Sequence, residues 1–104
     1  RGEMNGQRIL SKESFLLMTK TVTPPQISNG YNNGFGYAYS MFNLEEPSLD
    51  GTGAPKGIFG WSGYHNTHFW IDQENGIYGL FMTRTTPFSF EIQKHFRAAV
   101  YKAL

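Results

Sequence analysis

The run Ile77-Tyr78-Gly79-Leu80-Phe81-Met82 sets the tightest limit on how this chain can fold. It is apolar at both odd and even positions, so a strand made from it needs cover on both faces of a sheet. Asn75-Gly76, just before it, is a hairpin signal that pairs it with the strand-like residues 67–72. Downstream, Phe88, Ile92, Phe96 and Val100 recur every four residues, with Leu104 next in step. They describe an amphipathic helix, N-capped by Ser89, that can shield one face of the strand. The other face needs a second cover. On a soluble protein, an open apolar face of roughly several hundred Å² marks a contact surface.

Little upstream can supply that cover. Ser11 is a good N-cap, with Leu10 and Phe15 at the positions of a hydrophobic staple, and predicts a helix to about Thr19. Thr23-Pro24-Pro25 stops any continuation, so the helix is short. Asn29-Gly30 and Asn33-Gly34 are turn signals leading into a strand over residues 35–42, with Phe35, Tyr37, Tyr39 and Met41 on one face. Residues 43–56 carry two prolines, two glycines and three carboxylates, and read as a long surface loop. Residues 57–61 form a further strand. The order is α+β, an antiparallel sheet with flanking helices. At 104 residues the chain is one domain or part of one. It opens at Arg1-Gly2 without a methionine. With the unshielded strand face, this leads us to expect a missing N-terminal segment of the same protein, or a second chain, as partner.

Several function classes drop out. Nine Lys and Arg against eight Asp and Glu form no basic cluster, so nothing points to electrostatic docking on nucleic acid or anionic lipid. The absence of cysteine excludes disulfides, thiolate metal sites and a Cys nucleophile. No apolar stretch is long enough for a membrane span, and no signal peptide is visible. The compartment stays open between secreted or periplasmic and cytoplasmic.

Chemistry concentrates in Gly60-Trp61-Ser62-Gly63-Tyr64-His65-Asn66-Thr67-His68. A hydroxyl followed by glycine at a strand's end can line an active site. Ser62 can hydrogen-bond a substrate, and Gly63, without a Cβ, lets backbone approach a reacting carbonyl. The backbone N–H of Tyr64 can then donate to a developing oxyanion. One such donor contributes about 2.7–4 kcal/mol of transition-state stabilisation.

Trp61-Ser62-Gly63 resembles the third motif of the serine β-lactamase and penicillin-binding-protein family, normally Lys-Thr-Gly on a strand facing the nucleophile. The strand, turn, apolar strand and helix that follow, and Met4-Asn5-Gly6-Gln7-Arg8-Ile9-Leu10-Ser11 before the first helix, also resemble this family. The likeness is closest to its class C-like branch, which includes esterases and acyltransferases. It implies the C-terminal part of a β-lactamase/transpeptidase-like fold over residues 1–104. It also implies acyl-enzyme chemistry on a small ester or amide, with no metal and no cofactor. On this likeness Trp61, Ser62 and Gly63 bind substrate and the Tyr64 N–H serves the oxyanion. Trp61 stands where the family usually has a basic residue that binds a β-lactam carboxylate, which indole cannot do. That implies ester or acyl-transfer chemistry over antibiotic hydrolysis. No serine is followed three residues later by lysine, so the Ser-x-x-Lys nucleophile lies outside this chain. Tyr31-Asn32-Asn33 matches the family's Tyr-x-Asn by letter, but stands in a turn before a strand and is read as coincidence.

Other readings stay beside this one. Trp61 and Tyr64 can line a pocket or simply pack, and Trp70 is read as packing. Together the three can also make a stacking platform for carbohydrate in a stand-alone binding module. A structural subunit that docks a partner is the third possibility. His65 and His68, three apart, point to opposite faces of a strand and read as solvated or hydrogen-bonded. His95, with Lys94 and Arg97, reads as the polar face of the last helix. Glu45, Glu46 and Asp50 lie in the loop and are expected to form neither an acid pair nor a calcium site.

Overall fold

The computed structural model describes residues 2–25 and 32–104. The expected turn at Asn29-Gly30 and the Tyr31 of the Tyr-x-Asn match lie outside them. A two-residue hairpin comes first, β1 (Glu3–Met4) against β2 (Gln7–Arg8). Asn5 and Gly6 both take positive φ, 52° and 76°, as a type I′ turn requires. Helix α1 (Lys12–Thr19) starts where expected: the Ser11 side chain accepts from the Ser14 N–H. The chain then runs beside the sheet, where Val22 and Thr23 donate to the Tyr37 carbonyl.

The main sheet is a five-stranded antiparallel meander in chain order: β3 (Phe35–Tyr37), β4 (Phe42–Leu44), β5 (Phe59–Ser62), β6 (His68–Asp72) and β7 (Ile77–Phe81). Helix α3 (Phe90–Ala103) packs across it, with the Ser89 side chain capping the Glu91 N–H. The α+β expectation therefore holds, with two corrections. The strand expected over residues 35–42 is a hairpin: Ala38 N–H donates to the Met41 carbonyl, and Ser40 sits at φ 58°. An alternation of large and small residues runs through such a turn unbroken, so the pattern alone could not show it. The expected surface loop over residues 43–56 is also structured. It contains the end of β4, a single-turn helix α2 (Pro47–Asp50) and a fully buried Asp50.

Pairing register decides which side chains face α3. Gly60, Trp70 and Gly79 lie side by side on β5, β6 and β7. The Trp70 indole is fully buried across this row, with the Phe96 ring 5.3 Å away. A Cβ at Gly79 would overlap that indole, so only glycine fits there. Trp70 Nε1 donates to the Tyr101 hydroxyl at 3.0 Å, which donates on to Asp72 at 2.8 Å. Phe35, Phe42, Leu44, Ala54 and Ile58 complete this core, with Phe96 and Val100 against it.

The opposite face differs. Phe59 is covered by the edge of Phe15 from α1, at 6.1 Å. Beyond it Trp61, Phe69, Tyr78 and Leu80 share the face, and Met82 follows the end of β7. Tyr78 is 76% exposed, Leu80 57% and Met82 72%. Leu16, Leu17 and Met18 of α1 are exposed too, and α1 buries no residue fully. The strand apolar on both sides thus has one side covered and the other open.

Candidate functional site

Strand β5 carries Trp61 and Ser62 to the sheet's end, and Gly63 begins the turn into β6. Gly63 N–H donates to the Thr67 carbonyl at 2.8 Å, and Asn66 N–H donates back to the Gly63 carbonyl at 3.0 Å. A Cβ at Gly63 would overlap the Thr67 hydroxyl, so a larger residue here would have to displace that side chain. Tyr64 and His65 occupy the two central positions, with their rings edge-to-face at 5.1 Å. Both are exposed. Among the described residues, the Tyr64 N–H makes no hydrogen bond.

Ser62 sits at one end of a buried polar chain. Its hydroxyl lies 2.7 Å from Gln93 Oε1 and 3.1 Å from His68 Nδ1. His68 Nε2 is 3.2 Å from Arg97 Nη1, and Arg97 Nη2 is 3.1 Å from Asp50 Oδ1. Guanidinium has only donors, so His68 Nε2 must accept and Nδ1 must carry the ring's proton. Nδ1–H then donates to Ser62 Oγ, and the Ser62 proton goes to Gln93. Burial, and next the charge of Arg97, push His68 down to about 4, against a weaker upward pull from a Trp61 backbone hydrogen bond. Burial also lowers Arg97, although Asp50 opposes it. A neutral imidazole that donates to the serine cannot take the serine's proton. Ser62 is therefore an oriented hydroxyl and not an activated nucleophile.

Two cavities flank the motif strand. One, of about 110 Å³, lies toward α3 and is bounded by Phe35, Tyr37, Phe42, Trp61, Ser62 and Gln93 among others. The other, of about 320 Å³, opens on the uncovered face along Trp61, Gly63, Thr67, Phe69, Leu80 and Met82. Trp61 and Ser62 touch both. Tyr64 lines neither.

Of the expected site residues, Trp61, Ser62 and Gly63 border a groove and Tyr64 stands outside both, while other expectations shift. Trp70 lies beneath α3 and offers no stacking surface, which removes the middle of the three-ring carbohydrate platform. Arg97, expected on the polar face of the last helix, is buried, while His95 is exposed. The reason is its partner: Asp50 and His68 accept both ends of its guanidinium. Asp50, Asn66, Gln93 and Arg97 escaped sequence reasoning. A faint signal was present in Gln93, Arg97 and Tyr101, which recur every four residues next to the apolar stripe. Among the described residues no group of three or more His, Cys, Asp or Glu is placed to share a metal ion.

A family model described as beta-lactamase matches residues 1–102. An acyltransferase named calJ, from Penicillium decumbens, is 35% identical to this chain over 68 residues, which cover 65% of the chain. The same stretch covers 15% of calJ, so the chain spans only a small part of that relative's length.

Proposed function

We propose, from the premise that this chain belongs to the β-lactamase family, that it supplies one wall of an acyl-transfer cleft. The nucleophile stands on the other wall, in polypeptide outside this chain. Trp61, Ser62 and Gly63 bind a small ester or amide in the groove on the open face. The external serine attacks the substrate carbonyl and passes its proton to a base on its own segment. Negative charge then gathers on the carbonyl oxygen, where the Tyr64 N–H meets it. Collapse of that intermediate releases the protonated leaving group, and water or an acceptor alcohol takes the acyl group from the serine. Indole at position 61 offers no cation to a substrate carboxylate, which favours ester and acyl-transfer substrates over β-lactams. The acyltransferase likeness points the same way.

The observation that carries this reading is the groove along Trp61 and Gly63, which opens onto an apolar face that stays exposed among the described residues. A closed, self-sufficient domain would not leave Tyr78, Leu80 and Met82 to solvent. The same face favours the docking reading, and the two merge if the docked partner carries the nucleophile. Reconstitution tests it. This chain mixed with the segment carrying the nucleophile should give a burst of nitrophenol from a nitrophenyl ester. Either piece alone should give none. No burst from the mixture, under conditions where the two pieces co-elute, would rule the reading out.

A further inference from the structure

We infer that Asn66 is a positioning residue for the reaction: it fixes the peptide plane that keeps the Tyr64 N–H turned out of its own turn and free to meet a developing oxyanion. The inference rests on the oxyanion role proposed above.

The carbonyl of Gly63 and the N–H of Tyr64 belong to one peptide unit, which is planar and trans, so they point in opposite directions. Asn66 N–H holds that carbonyl at 3.0 Å, inside the turn. The Tyr64 N–H is thereby turned outward. A flip of the plane would break the bond from Asn66 and present a carbonyl, instead of a donor, to a developing negative charge.

Asn66 can hold the plane only if it is itself immobile, and its surroundings provide this. It is fully buried, at φ 66°. Asparagine tolerates this left-handed conformation better than most side chains. Its Nδ2 lies 3.0 Å from the Thr85 carbonyl, 3.1 Å from Thr85 Oγ1 and 3.0 Å from the Pro87 carbonyl. Two N–H bonds thus serve three acceptors. Oδ1 accepts from the Ser89 N–H at 2.7 Å, at the N-cap of α3. His65 adds a further tie, its carbonyl accepting from Thr85 N–H at 3.2 Å. The turn beside the motif is pinned to the β7–α3 connection almost entirely through one side chain.

Asn66→Gly separates the backbone from the clasp, because glycine keeps the φ and the N–H while losing the side chain. In the reconstituted protein this variant should lower kcat for a nitrophenyl ester by about 10-fold or more. An entire oxyanion donor is worth about 10²–10³. KM should stay within about threefold, since the donor acts in the transition state. Tyr64→Pro is the companion variant: it deletes the N–H but suits the first central position of a turn. If Tyr64→Pro lowers kcat and Asn66→Gly leaves it within about twofold, the oxyanion role stands and the Asn66 inference falls. If neither lowers it, the oxyanion reading falls and takes this one with it. A readout that needs no variant is the NMR order parameter of the Tyr64 amide. The inference expects about 0.85 despite the missing hydrogen bond, and a value below about 0.6 would overturn it.

Discussion

The hydroxyl of Ser62 and Nδ1 of His68 face each other across β5 and β6 at 3.1 Å, in a pair directly opposed in register. The imidazole is 2% exposed, with the Arg97 guanidinium on its far side, so its proton is fixed on the nitrogen facing Ser62. A serine and a histidine at this distance look like a nucleophile and its base. The guanidinium makes the histidine the donor, and the hydroxyl is held as its acceptor.

Burial of His68, with the charge of Arg97 beside it, makes stability depend on pH. His68 titrates at about 4 in the folded chain and near 6.5 when unfolded. Between those values the unfolded state binds more protons, so stability is present in full above 6.5 and is lost as pH falls toward 4. The loss approaches about 3 kcal/mol by the relation of 1.36 kcal/mol per pKa unit. Urea unfolding midpoints at intervals from pH 7 to pH 4 should fall accordingly, and His68→Gln should flatten the slope over that window.

Asp50 and Arg97 are a buried pair, 0% and 3% exposed. Removing one partner strands a buried charge. Asp50→Ala should therefore destabilise the chain by about 3–5 kcal/mol, as should Arg97→Met. The double variant should lose less than the sum of the two, which a double-mutant cycle by urea denaturation measures.

Gly79→Ala should destabilise by several kcal/mol, since the added methyl overlaps the Trp70 indole. Overpacking typically costs about 1–3 kcal/mol, and an indole braced by Phe96 and bonded to Tyr101 has little room to shift. Combining it with Trp70→Phe should restore part of the loss, read as a rise in melting temperature.

Leu80→Glu with Met82→Glu tests the open face. In the isolated chain these changes should reduce self-association on size-exclusion chromatography, because exposed apolar surface is replaced by charge. In reconstitution they should abolish co-elution with the nucleophile segment. A pair that still assembles would show that the partner sits elsewhere.

Much of this architecture was legible in the sequence because it rests on local signals. The caps Ser11 and Ser89, the Asn75-Gly76 turn and the strand-like runs of β6 and β7 each depend on near neighbours. The open face was legible too, from the apolar positions of residues 77–82 on both sides. Pairings over long separations were not. Asp50 reads as a loop carboxylate until Arg97, forty-seven residues on, is seen to hold it. Asn66 reads as one polar residue in a turn until residues 85–89 fold back onto it. The hairpin at residues 38–41 was hidden because the bulky–small alternation continues through it.

On the proposed function, the reacting serine lies outside this chain, across a cleft walled by Trp61 to Gly63. Intact mass spectrometry of the reconstituted pair after treatment with a phosphonate ester tests it most directly. One phosphonate adduct is expected, on the added segment, formed only when this chain is present. An adduct on Ser62 or any other residue of this chain, or equal labelling of the segment by itself, would contradict it.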